Sequence, residues 1–260
     1  MKKAISKDGT SLAYDVYGSG PALVFITGAT CFRSLESVLH DAHVFAQAFT
    51  VYNYDRRGRG DSGNTLPYSM EREIEDIEAI IEAAGGSACL YGHSSGAILA
   101  LEAAMRLGDK VNKAVLYDPA YAHDEAEQME FKGLIQGLNQ LLEDGKHDEA
   151  ISLFLEGIGI PKEVISGMQH SPQWAVMTAL APTLAYDTLL ASDLPPIERA
   201  SRLSTPISII VGEQSPVSML EVGKQLSRAI PNAKNTILEG QDHMPDPELL
   251  LPLLSSFLHK

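Results

Sequence analysis

Six short apolar runs set the strongest limit on what this chain can fold into: "ALVFIT" (22–27), "FTVYNY" (49–54), "SACLY" (87–91), "VNKAVLY" (111–117), "PISIIV" (206–211) and "NTILE" (235–239). Each is bounded by Gly, Pro or Asp, and none shows the apolar–polar alternation of a strand with one face in water. Strands covered on both faces read this way. Helical patterns separate them. "SMEREIEDIEAIIEAAGG" sets Ile74, Ile77 and Ile81 on one face, ends at Gly85, and is expected to turn its acidic residues to water. "SSGAILALEAAMRLG" stops at Gly108, in the manner of a helix C-cap. A strand–helix–strand rhythm predicts an α/β fold: a mostly parallel, twisted sheet with helices on both faces. Ahead of it, "KKAISKDGTSLAYDVYGSG" predicts a hairpin, with Asp8-Gly9 at the turn and Leu12, Tyr14 and Val16 at a period of two.

The rhythm breaks once. Between Tyr117 and Pro206 the pattern is almost wholly helical, as in "FKGLIQGLNQLLEDG", "HDEAISLFLEGIG" and "PQWAVMTALAPTLAYDTLLAS". Residues 121–200 therefore read as an inserted helical cap, and residues 1–120 with 201–260 as the core around it. A chain of 260 residues can bury a core of that size in one α/β domain. A formal charge of −14 disfavours nucleic acid and anionic membrane as partners. No run approaches the roughly 20 apolar residues of a membrane span, no signal peptide is evident, and the two cysteines imply no disulfide framework. The expectation is a cytoplasmic protein.

In "CLYGHSSGAILALEAA", Ser94 stands between Gly92 and Gly96, after an apolar strand and at the start of a helix. A serine on that sharp turn has its hydroxyl lifted above the sheet edge, and small residues on either side let strand and helix approach closely. The helix N-terminus then aims N–H groups at any anion formed there. The plainer reading makes Ser94 a helix cap.

With these segments the chain resembles the α/β-hydrolase family over nearly its whole length outside the cap. "ALVFITGAT" is similar to the family's strand and oxyanion loop, "YDRRGRGDSG" to the next strand-to-helix turn, and "YGHSSGA" to its nucleophile elbow. "IIVGEQSP" and "LEGQDHM" are similar to its last two strand ends. The resemblance implies Ser94 as nucleophile, His243 as general base, and the backbone N–H groups of Ala29 and Ser95 as oxyanion donors. Thr27-Gly28 replaces the usual His-Gly of the loop. Arg57 and Asp55 are expected to brace the neighbouring turn, and His93 to point away from the serine. His40 and His43 lack companion ligands, so no metal is expected.

The acid is where the chain departs from the family. Many members carry Gly-Glu-x-Asp-Pro after the penultimate strand; here Gly212-Glu213-Gln214-Ser215-Pro216 puts a serine in its place. Asp118, one strand earlier in "AVLYDPAYA", is the preferred acid, because neighbouring parallel strand ends face one crevice. Glu213 is a second candidate, and a Ser94–His243 dyad without an acid is a third. The resemblance then implies a serine hydrolase of small to medium carboxylic esters or lactones, working without a cofactor on a small hydrophobic substrate. Carbon–carbon bond hydrolysis or lyase chemistry stands as an alternative, as does a small-molecule receptor whose turnover has decayed. Met168, Trp174 and Met177 are either walls of the substrate pocket or core of the cap.

Overall fold

The computed structural model describes residues 1–259. Along the chain run β1 (Lys2–Ile5), β2 (Ser11–Tyr17), β3 (Ala22–Ile26), α1 (Glu36–Phe45), β4 (Thr50–Tyr54), α2 (Met70–Ala83), β5 (Ala88–His93), α3 (Ser95–Leu107) and β6 (Val111–Tyr117). Six helices follow before the next strand: α4 (Glu125–Glu143), α5 (His147–Gly157), α6 (Lys162–Met168), α7 (Pro172–Leu180), α8 (Leu184–Ala191) and α9 (Ile197–Ala200). The chain closes with β7 (Ile207–Gly212), α10 (Val217–Ala229), β8 (Lys234–Leu238) and α11 (Pro247–Leu258). No helix among the described residues is long and apolar enough to cross a membrane.

The eight strands form one sheet in the order β1-β2-β4-β3-β5-β6-β7-β8. β1 and β2 make the expected hairpin, with Gly9 at φ 88° and the Asp8 carboxylate accepting from the Thr10 N–H at 2.9 Å. β2 pairs antiparallel with β4, and every later pairing is parallel. The winding reverses at β3, which has β4 on one side and β5 on the other. Loops leaving two such strands in opposite directions open a crevice above the sheet edge, and ligand sites of open α/β sheets form there.

Period-two alternation explains why the apolar runs lack polar residues. In β3, Val24 and Ile26 join the apolar cluster under α2, α3 and α10, whereas Leu23 and Phe25 join the cluster under α1 and α11. In β6, Ala114 and Leu116 face the first cluster, and Val115 and Tyr117 the second. At these positions both faces are core, so polar residues have no side to occupy; β8, at the sheet edge, differs from expectation and has no buried residue. The helices between β6 and β7 hold a third cluster around Leu138, Ile151, Phe154, Trp174 and Leu184, against which Ala29 of the β3–α1 loop packs.

The acidic face of α2 departs from expectation. Glu73 and Asp76 are buried, at 1% and 0% exposure, rather than turned to water. Arg57 grips Asp76 with two hydrogen bonds of 2.7 Å, and Arg56 meets Glu73 at 2.6 Å. Both arginines are fully buried and come from the β4–α2 turn, so these two carboxylates of α2 face guanidiniums that the turn delivers.

Candidate active site

β5 delivers Ser94 in a backbone conformation seldom used by non-glycine residues, φ 59° and ψ −122°, immediately before α3. The turn is tight enough to forbid side chains beside it: a Cβ on Gly92 would overlap the Gly96 carbonyl, and one on Gly96 would overlap the Ile26 carbonyl of β3. The Ser94 N–H is anchored on the Tyr117 carbonyl at 2.9 Å, which ties the elbow to the end of β6. Ser94 is left half-buried.

One residue past that anchor, Asp118 sits at φ 46° with no exposed surface. Its carboxylate has three partners. The Gly212 N–H donates to Oδ1 at 3.1 Å, the Ser215 hydroxyl to Oδ2 at 2.6 Å, and His243 Nδ1 to Oδ2 at 2.9 Å. β7 and its following turn thus orient an acid that belongs to β6. Glu213 is engaged elsewhere, accepting from the Gly240 N–H at 2.9 Å, and Asp242 accepts from the Met244 N–H at 2.8 Å. Of the candidate carboxylates, Asp118 is the one bonded to the His243 ring.

The His243 side chain is one-third exposed, so its far nitrogen is free to face a bound molecule. Ser94 Oγ makes no hydrogen bond among the described residues; unliganded sites often hold the nucleophile and base loosely. His93 connects them through the backbone. Its Nε2 donates to the His243 carbonyl at 2.7 Å, and the two rings lie 4.8 Å apart at 35°. Since Nε2 carries that proton, neutral His93 has its lone pair on Nδ1. Burial, reinforced by the neighbouring His243, pushes the His93 imidazole down to about 3. It therefore stays neutral around neutral pH.

The β3–α1 loop comes against Ser94 from the other side. A Cβ on Gly28 would lie 3.0 Å from the Ser94 Cβ, so only a glycine lets the loop settle there without displacing the serine. Neither the Ala29 N–H nor the Ser95 N–H has an acceptor among the described residues. Two free donors beside a half-buried hydroxyl suit a negatively charged oxygen.

A buried charged cluster, invisible to motif reading, supports this loop. Arg59 Nη1 donates to the Gly28 carbonyl at 2.6 Å, and Arg56 Nη1 to the Thr27 carbonyl at 3.3 Å. Between the two guanidiniums lies Asp187 of α8, which accepts from Arg59 Nη2, from Arg56 Nη1 at 2.8 Å and from Ser95 Oγ at 2.7 Å. Burial alone would raise the Asp187 carboxyl; the Arg59 and Arg56 charges and the Ser95 hydroxyl hold it below the usual carboxylate range. One signal in the sequence pointed here: a lone acid in the apolar stretch "LAYDTLLA", set against three arginines in "DRRGRGD". Asp55 and Arg57 brace the β4–α2 turn as expected, Asp55 accepting from the Arg33 and Asp61 N–H groups. Trp174 lies in the core of the α4–α8 helices with Met168 and Met177 packed against it, so the three serve that core.

The alpha/beta hydrolase family matches this chain in sequence over residues 23–251. The chain belongs to that family. An alpha/beta hydrolase from Sphaerobacter thermophilus is 38% identical and superposes with a TM-score of 0.88 over 99% of this chain and 100% of its own. A 2-(acetamidomethylene)succinate hydrolase from Mesorhizobium japonicum is 29% identical, over 93% of this chain and 89% of the relative. A pimeloyl-[acyl-carrier protein] methyl ester esterase from Vibrio atlanticus is 25% identical, over 90% and 92% respectively. With hydrolases and esterases among its relatives, this alpha/beta hydrolase is an enzyme of the hydrolase class.

Proposed function

We propose that this alpha/beta hydrolase cleaves small to medium carboxylic esters or lactones through an acyl-enzyme. One observation carries the reading: a fully buried carboxylate, Asp118, bonds the Nδ1 of a partly exposed histidine whose loop is tied to the strand that presents Ser94. Ser94 Oγ attacks the ester carbonyl carbon while His243 Nε2 takes its proton, and the carbonyl π electrons move onto oxygen. Asp118 fixes the tautomer that leaves Nε2 unprotonated at the start and stabilises the imidazolium that forms. The free N–H groups of Ala29 and Ser95 stabilise the oxyanion. Its collapse breaks the ester C–O bond, and His243 returns the proton to the departing alkoxide. Water, deprotonated by His243, then attacks the acyl-enzyme and regenerates Ser94.

The methyl ester named in the Vibrio relative supports an ester over a carbon–carbon bond as the substrate. The receptor reading rested on Ser215 in the acid's place and loses its basis, since Ser215 serves as a donor to Asp118. The helices between β6 and β7 would form the cap, closing the site where their core meets Ala29. A panel of p-nitrophenyl esters differing in acyl length tests the reading: turnover well above background is expected, with a preference among chain lengths. Background rates at every length would count against ester hydrolysis.

A further inference from the structure

The oxyanion donors are built from two separate parts of the chain, and a third part, α8, touches both. In a trans peptide the C=O and N–H point in opposite directions. The Gly28 carbonyl is fixed on Arg59 Nη1 at 2.6 Å, so the Ala29 N–H of the same peptide is turned the other way, with no protein acceptor. Rotating that peptide would move the Ala29 N–H and break the Arg59 bond together. Arg59 is itself held by Asp187 Oδ2, its other fork nitrogen making that contact. The second oxygen of Asp187 accepts from Ser95 Oγ at 2.7 Å, and Ser95 supplies the other free N–H. One carboxylate therefore braces both donors, through an arginine on one side and a hydroxyl on the other.

That carboxylate is borne on a helix outside the sheet core. α8 also lies on the β4–α2 turn, where Tyr186 stacks on Tyr68 with ring centroids 3.8 Å apart and planes within 4°. Seated there, Asp187 is 2% exposed between two buried arginines. Removing it leaves Arg59 with no carboxylate partner, and an unpaired buried cation either draws water in or swings away. Either response frees the Gly28 carbonyl.

We propose that Asp187 is a positioning residue that tethers the oxyanion donors to α8, so that seating of this helix on the core completes the site. The inference rests on the ester-hydrolase reading for its kinetic consequence but not for its geometry. Asp187→Asn is expected to lower kcat by about 10- to 100-fold with KM little changed, less than the 10²–10³-fold loss of an entire oxyanion donor. A purely structural role would not single out the oxyanion. Affinity for an aryl trifluoromethyl ketone reads it directly: Ser94 Oγ adds to the ketone carbon, its proton passes to His243, and the ketone oxygen becomes an oxyanion. That affinity should fall in parallel with kcat/KM.

Glu102→Gln is the control, because Glu102 is equally buried and grips Arg199 near the end of the same helical segment, yet touches neither donor. It should leave kcat and ketone affinity within about threefold of the parent. The Ala29 amide ¹⁵N–¹H resonance supplies a readout that needs no turnover: it should move in Asp187→Asn and stay in place in Glu102→Gln. Should Asp187→Asn not fold, Arg59→Lys replaces it, since an ammonium lacks the fork that spans Gly28 and Asp187. Ketone affinity and an Ala29 resonance unchanged in the variant would overturn the tether. A parent enzyme inert to esters and ketone, but with the Ala29 resonance displaced in Asp187→Asn alone, would overturn the ester reading and keep the tether.

Discussion

In the mechanism proposed above, Ser215 and Asp118 share the place that a single acid would fill. A serine at 215 cannot stabilise an imidazolium with a full charge, but its hydroxyl donates to the carboxylate that can, at 2.6 Å. Asp118 pays for its place with a backbone at φ 46°, held by its own N–H on the Ile210 carbonyl at 3.0 Å and by three side-chain contacts. This division of labour gives graded effects. Asp118→Asn should cut the rate on an activated ester by about 10³–10⁴-fold, as expected when the base loses its orienting acid. Ser215→Ala removes one of several bonds to Asp118 and should cost about tenfold or less, whereas Glu213→Gln should change little. Steady-state rates of the three purified variants check this, and equal rates for all three would remove Asp118 from the reaction. The acid's place was legible only as a choice between strand ends, because sequence spacing does not say which carboxylate turns toward the ring.

At the scale of elements, the strands were readable and the charges were not. The apolar runs became β3 to β8; burial on two faces leaves a local pattern in the central strands, whereas β8 kept its run at the edge without a buried residue. On α2, the acids at 73 and 76 look like those at 78 and 82, but two face buried arginines and two face Lys110 at the surface. Helical periodicity places residues on a face; it cannot report what another segment delivers there. The energetic consequence is a sharp contrast between neighbours. Asp76→Asn leaves buried Arg57 with Asp8, at 3.1 Å, as its remaining carboxylate partner and should cost about 2–3 kcal/mol, below the roughly 3–5 kcal/mol of a charge left wholly unpaired. Glu82→Gln removes a solvent-screened partner of Lys110 and should leave the midpoint almost unchanged. Denaturant midpoints with unchanged m-values would measure both, and equal shifts would contradict the burial of the 57–76 pair. Asp187 escaped the sequence reading for the same reason: its meaning lies in Arg56 and Arg59, more than a hundred residues away.

For the molecule as a whole, winding reversal at β3 is what gathers the parts. It places the β3–α1 loop beside Ser94 after β5, with Asp118 after β6 and His243 beyond β8 along the same edge. The helices between β6 and β7 then reach back over that edge through Ala29 and Asp187. A sheet and a set of turns specify this much from sequence, but how six helices pack on one another is set by shape, so acyl-length preference is not written in the motifs. The central claim is that the hydroxyl at 94 is an activated nucleophile. Treatment with a fluorophosphonate followed by peptide mass spectrometry tests it most directly: a single adduct on Ser94, lost or greatly slowed in His243→Ala, is the expected result. An unlabelled Ser94 in folded protein, or labelling that ignores His243, would contradict it.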